Sequence, residues 1–343
     1  MYQFENVGAA LCRDGWGPPA KHRGVKPLLH PIRGKLIHYL NVARVCLWPA
    51  RPFGCRIVKS FTSGRPYWWQ WPTVLSLDAP AVALLWQGLL ARVAGVALGW
   101  PQALVLGSSV WLAYAADRWI EGWRLGPGQV RTQRHAFYQR GRWPVAAGWL
   151  LVLTTDLAIA TSRLSHREIQ AGLLLLAPVL AYLLSHQLIH RHHRWRAPKE
   201  VCVAALLASG TVLFIAARPD AALRPLAAPL ALFALLCFAN CALISVWERE
   251  VDQTHGQTSF TLQFRRGAAF SRRLPWALAA VAVLLVAAES GAARAAAACA
   301  LTSSLLLAAV DRAEPRLGWQ LARVLADVAL MTPLAPLLVL KLR

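Results

Sequence analysis

From Leu75 to the C-terminus, long apolar runs alternate with short polar stretches, on a scale far longer than the period of one amphipathic helix or strand. Each run is close to the ~20 residues that a helix needs to cross the hydrocarbon core of a bilayer. The pattern predicts nine such helices, over 79–98, 101–119, 143–161, 169–188, 201–217, 226–246, 274–290, 293–311 and 320–340. The seventh and eighth are the least clearly parted, because only Glu289 to Arg294 separates them. Residues 1–73 have another character. They hold eleven Lys/Arg against two acids, with frequent Pro, Gly and Trp, and the stretch Tyr39 to Pro49 is too short to span. No apolar segment follows the first basic residues, as one would in a secretory signal. This part is expected to be a basic cytoplasmic extension, poorly ordered or lying on a surface, ahead of a helical unit over 74–343.

Composition sharpens the picture. The 343 residues are 57% hydrophobic yet carry a formal charge of +21. A pI near 10.9 would also suit a nucleic-acid-binding protein. Here the basic residues sit in the loops between apolar runs, so the bilayer is the expected partner and nucleic acid is not. The loop after the second run holds Arg118, Arg124, Arg131, Arg134, Arg140 and Arg142. The fourth is followed by Arg191, Arg194, Arg196 and Lys199, and the sixth by Arg249, Arg265, Arg266, Arg272 and Arg273. Odd-numbered loops up to the seventh hold two basic residues at most. By the positive-inside rule the N-terminus and the even-numbered loops face the cytoplasm, in a multi-pass protein of the inner membrane. The seven cysteines form no CxxC pair and indicate neither a disulfide framework nor a zinc site.

The chain has sixteen Asp/Glu residues, and five fall in two short segments, at the ends of the second and sixth runs. Asp117 and Glu121 are i,i+4 in the first, and Glu248 and Asp252 repeat that spacing in the second, with Gly256 one turn further in the same register. Residues so spaced project from one helix face. Carboxylates at the end of a membrane helix are costly unless paired, hydrated or metal-bound. Two such pairs at equivalent depth suggest one polar site, and hard oxygen ligands suit Mg2+ bridging a diphosphate. The plainer alternative is that they cap helices and pair with Arg118, Arg124 and Arg249.

The same segments carry a resemblance. Ala113-x-x-x-Asp117-x-x-x-Glu121 and Glu248-x-x-x-Asp252-x-x-x-Gly256-x-x-Ser259 are similar to the two aspartate-rich motifs of the UbiA superfamily of membrane prenyltransferases, and Leu325-Ala-Asp327 to Pro333 looks like that family's last helix. The likeness covers roughly residues 74–343. It implies an all-α integral membrane bundle of nine transmembrane helices. It also implies a transferase that moves an isoprenoid chain from a polyprenyl diphosphate to an aromatic or other lipophilic acceptor, as in quinone biosynthesis. The resemblance makes Asp117, Glu121, Glu248 and Asp252 the catalytic Mg2+ ligands, and Arg118, Arg124, Arg131, Arg134 and Lys199 candidates for the diphosphate. The chain departs from the family pattern at Ala113, where Asn is usual, and at Glu121 and Glu248, where Asp is usual. These departures motivate the alternative of an inactive membrane scaffold.

Other features suggest less. His186-x-x-x-His190-Arg-His192-His193 resembles a di-iron histidine box, but the remaining histidines are scattered. Asp156 and Asp327 are expected within spans, which raises a transporter role. For Asp327 an intrahelical pair with Arg323, four residues earlier, is the plain expectation.

Overall fold

The computed structural model describes residues 66–124, 132–185, 197–256 and 258–341, and among these it contains helices and turns but no strand. The basic segment 1–65 lies outside the described residues. Residues 66–73, which the sequence pattern groups with that segment, pack on the helical unit. A 3-10 turn, Trp68–Gln70, runs into a short helix, Trp71–Val74. Gln70 Nε2 donates to Gln320 Oε1 at 3.4 Å, and the Trp71 ring meets Phe137 edge-on. The chain then bends by 75° into α1 (Asp78–Val93).

After α1 come α2 (Trp100–Arg124), α3 (Gln133–Arg140), α4 (Arg142–Arg163), α5 (His166–Leu183) and α6 (Lys199–Ala216). They are followed by α7 (Ala227–Trp247), α8 (Arg249–Thr254), α9 (Gly267–Ala288), α10 (Gly291–Leu317), α11 (Trp319–Ala329) and α12 (Leu334–Lys341). Every predicted apolar run therefore contains a helix. Not every helix is long and apolar enough to cross a membrane: among the described residues six segments are, or seven if the bent pair Trp68–Val74 and Asp78–Val93 is one span. The shortfall from the expected nine has local causes. The last turns of α2 carry Asp117, Arg118 and Glu121, α5 opens on His166-Arg167-Glu168, and α1 is only 16 residues long. The last span, expected to be continuous over 320–340, is broken between α11 and α12 ahead of Leu334. Pro333 has no N–H to continue the helix. Thr332, within the break, is tied to α10, its Oγ1 donating to the Cys299 carbonyl at 3.1 Å and lying 2.8 Å from Ser303 Oγ.

The core forms where α1, α7, α10 and α11 meet. Trp86 is fully buried, stacks on Phe233 with ring centroids 4.6 Å apart, and donates its Nε1–H to the Leu330 carbonyl at 2.9 Å. Leu236, Leu243, Leu307, Ala300 and Ala326 fill the space around that stack. Alanines 296, 297 and 300 are buried on α10; without bulky side chains a helix can approach its neighbours closely, and packing contact rather than hydrophobic burial holds helices together in lipid. α4 and α5 are peripheral and turn Leu150, Leu151, Leu173 and Leu174 outward. Such a surface costs nothing where the solvent is lipid. The buried exception on α4 is Asp156, which accepts hydrogen bonds from Ser108 and Ser109 of α2, the latter at 3.2 Å. A hydroxyl-bonded carboxylate between two helices accounts for Asp156 as an interhelical tie.

Trp86→Ala should cost about 3–5 kcal/mol, the range for truncating a buried aromatic. Trp86→Phe, which keeps the ring but loses the bond to Leu330, should cost about 1 kcal/mol of hydrogen bonding plus a smaller packing loss. Unfolding midpoints of the detergent-solubilised variants check both; equal midpoints for the two would mean that the stack on Phe233 carries no weight.

Candidate functional site

The site is assembled where α2 and α7 end. Because α2 runs unbroken to Arg124, Asp117 and Glu121 lie one turn apart on it. Thr132 caps α3, its Oγ1 accepting from the His135 backbone N–H at 3.4 Å, and this turn buries Arg134 and His135. On the other side α7 stops at Trp247, Glu248 takes φ −93 and ψ 12, and α8 resumes at Arg249. The Asp252 N–H still donates to the Glu248 carbonyl at 2.9 Å, so the two carboxylates remain a turn apart. The expected continuation of this register to Gly256 does not occur. Gly256 has φ +63 and ends the helix in the left-handed conformation that glycine adopts without steric cost. The chain beyond is tied back by two bonds: Thr261 Oγ1 donates to the Ser245 carbonyl at 2.9 Å, and the Phe260 N–H donates to Glu200 Oε1 at 3.1 Å.

Ion pairs knit these pieces together. Glu121 Oε2 accepts from Arg118 Nη1 and from His135 Nε2, each at 3.0 Å. Glu248 accepts from Arg134 Nη2 at 3.2 Å on one oxygen and from Arg323 Nη1 at 2.6 Å on the other. Lys199 Nζ lies 3.4 Å from Asp252 Oδ1. Arg323 belongs to α11, so the expected pair with Asp327 is corrected: the guanidinium reaches across to α7's end instead. Asp327 accepts from Asn240 Nδ2 at 2.9 Å and is hydrogen-bonded to Asp78.

Burial alone would push the Glu248 carboxyl up, but the guanidiniums of Arg134 and Arg323 outweigh it and hold it well below the usual carboxylate range. Burial, with repulsion from Arg118 and Arg323, brings Arg134 down to about 10, which leaves it charged at neutral pH. Burial also lowers His135 to about 4 against the pull of Glu121. The imidazole is therefore neutral: Nε2–H donates to Glu121, and Nδ1 accepts from Thr132 Oγ1 at 2.6 Å. Three guanidinium nitrogens, Nε and Nη1 of Arg134 and Nε of Arg323, are buried without an acceptor among the described residues. A buried donor left unpaired costs about 1–3 kcal/mol.

Arg118, Glu121, Arg134, Lys199, Glu248, Asp252, Arg323 and Asp327 border one cavity of about 370 Å3. Seven carboxylates and four cations line it, together with an apolar wall that includes Val105, Leu106, Leu175, Val179, Leu207 and Phe214. Of the residues singled out in the sequence, Asp117, Glu121, Glu248, Asp252, Arg118, Arg134 and Lys199 are brought together here, as is Ala113. Arg124 is the last residue of α2; its side chain lies outside the described residues, as do Arg131 and the cluster His186, His190, His192 and His193. Sequence reasoning did not place Asp78, Asn240, Glu200 or Arg323 in the site. A signal existed for Arg323, since it is a charge inside an apolar run one turn before Asp327. The others needed the fold.

Among the described residues no three His, Cys, Asp or Glu side chains converge as a ready-made cation cage. Mg2+ does not require one, because it commonly binds through one or two carboxylates plus substrate phosphates. Asp117 and Asp252 fit that role on the cavity wall. Glu121 and Glu248 are engaged by arginine, and Asp252 by Lys199.

No protein-family model matches this chain, and no curated protein does. Among solved structures, the apo structure of a UbiA homolog from Aeropyrum pernix K1 resembles it with a TM-score of 0.51 at 18% sequence identity, covering 77% of this chain and 98% of that one. At that identity the likeness is one of fold. The chain is a multi-pass membrane protein with a UbiA-type fold.

A neutral histidine buried in this cluster makes stability depend on pH. The folded protein resists protonating His135 whereas the unfolded chain accepts a proton near pH 6.5, so its contribution is complete above that pH and is lost as pH falls toward about 4. Between pH 7 and 5 the loss should be about 2 kcal/mol. His135→Gln should flatten that part of the profile in thermal melts at fixed detergent; an unchanged slope would show that His135 does not carry it.

Proposed function

We propose that this protein is a Mg2+-dependent membrane prenyltransferase that moves an isoprenoid chain from a polyprenyl diphosphate to a lipophilic acceptor. The observation that carries this reading is the division of the cavity into a charged end and an apolar wall. Such a space suits an amphiphile with a compact polar head and a hydrocarbon tail. The likeness of fold to a UbiA homolog supports the same reading, and nine membrane crossings with a cytoplasmic N-terminus belong to it.

The charge balance points to the same requirement. Carboxylates outnumber cations on the cavity wall, seven to four. A bare diphosphate would be repelled by that wall, whereas a divalent cation between them makes the contact attractive. Asp117 and Asp252 would hold Mg2+, which supplies neutralisation of the leaving diphosphate. Arg118, Arg134 and Lys199 bind and orient the diphosphate oxygens. Cleavage breaks the bond between the allylic carbon and its oxygen, and the electron pair leaves with the diphosphate. The rings of Tyr114 and Tyr182 border the same carboxylates and present aromatic faces to the cationic carbon. An electron pair of the acceptor forms the new bond, and the acceptor gives up a proton to a carboxylate of the cavity wall, Asp78 or Asp327. The transporter alternative rested on Asp156 and Asp327; Asp156 is bound between α2 and α4 and does not line the cavity.

Farnesyl or geranylgeranyl diphosphate should bind the purified protein in the presence of Mg2+, and EDTA should abolish that binding. Asp117→Asn and Asp252→Asn should each weaken it by about 10-fold or more, the scale of losing one ligand-shell contact. Binding that is indifferent to EDTA, or no binding of either compound by folded protein, would overturn the reading in favour of an inactive scaffold.

A further inference from the structure

The buried carboxylates of the i,i+4 pairs differ in their partners: Glu121 and Glu248 are met by arginine, and Asp252 by Lys199. Glu248 is 4% exposed, and each of its oxygens is taken by a different guanidinium, Arg134 from α3 and Arg323 from α11. A cation binding at Glu248 would have to displace both from a nearly dry site, and removing one partner from a buried charge pair is strongly unfavourable. The arginines show the opposite condition. Arg134 has Nε and Nη1 unmet and Arg323 has Nε unmet, and both side chains line the cavity. Two guanidiniums share the one carboxylate of Glu248. A guanidinium presents five N–H donors in a fixed fork that matches the oxygens of phosphate. Buried, pre-positioned donors of this kind suit the oxygens of an anion, and Glu248 holds the two guanidiniums in register.

We infer that Glu248 is the anchor of a guanidinium pair, Arg134 and Arg323, which grips the diphosphate oxygens in place of a second divalent cation, leaving Asp117 and Asp252 to hold a single ion. The inference rests on the proposed diphosphate substrate and assigns a binding role to Arg323, a residue of the last span. It also gives the longer side chain at 248 a purpose: the extra methylene lets one carboxylate meet arginines from two other elements. A purely structural clamp would need the Arg–Glu bonds but would have no use for the N–H groups that Arg134 and Arg323 leave unmet.

The test uses the full chain in detergent, Mn2+ counted by electron paramagnetic resonance, and inorganic pyrophosphate binding measured by calorimetry. The wild type should take one Mn2+ per chain in the presence of pyrophosphate. Asp252→Asn should lose that ion. Glu248→Gln should keep the Mn2+ stoichiometry yet weaken pyrophosphate by about 10-fold, and Arg323→Gln should do so by about 10- to 100-fold, the range for charge-assisted contacts. Arg323→Lys, which keeps the charge without the fork, should recover part of the loss and serves if the glutamine variant does not fold. Two Mn2+ per chain with the second lost in Glu248→Gln would overturn the inference while leaving the prenyltransferase reading intact. So would pyrophosphate affinity unchanged by both Arg323 substitutions. A wild type that binds neither pyrophosphate nor a prenyl diphosphate removes both.

Discussion

A carboxylate withdrawn from water must be met by a cation, a proton or several hydrogen bonds, and in this fold the demand is greatest at Glu248. Its side chain is almost wholly enclosed, and it is neutralised by arginines that arrive from α3 and α11. One residue thus ties the end of α7 to the segment after α2 and to the last span. Breaking any arm would leave an unpaired charge in an apolar interior. The surrounding arrangement follows from that constraint: α3 is capped so as to present Arg134, and α11 is set to bring Arg323 across the cavity rather than toward its own Asp327.

Around this charged end the bundle obeys the physics of lipid. α7 and α10 are central and α4 is peripheral, as the buried share of each span shows, 50% for the first two and 6% for the last. The central contacts combine an aromatic stack with small residues, Trp86 on Phe233 beside Ala296 and Ala300. Several polar groups inside the bundle are met by polar partners. Asp156 is held by two serines, Asp327 by Asn240 and Asp78, and Thr332, beside Pro333, by α10. Among the described residues, nitrogens of Arg134 and Arg323 are unmet, as are Glu200 Oε2 and Asn240 Oδ1, and all four residues border the cavity.

Much of this could be read from the order of residues alone. Period and length of the apolar runs located the helices, because crossing a bilayer demands a fixed length of apolar chain and leaves few alternatives. The i,i+4 spacing of Asp117 with Glu121 and of Glu248 with Asp252 placed each pair on one helix side, because helical geometry is local. Their meeting in one cavity was suggested by equal depth and is seen in the fold. What the chain alone could not decide were contacts between elements far apart in sequence. The reach of Arg323 to Glu248 spans 75 residues and that of Arg134 spans 114. Neither has a periodic signature, and for Arg323 the nearest carboxylate in sequence, Asp327, was the wrong partner. The roles of Glu200 and Asn240 were hidden for the same reason, as was the break in the last span. Apolar patterning and helical spacing are properties of neighbours along the chain, whereas the pairing of buried charges depends on which helix ends the packed bundle brings together.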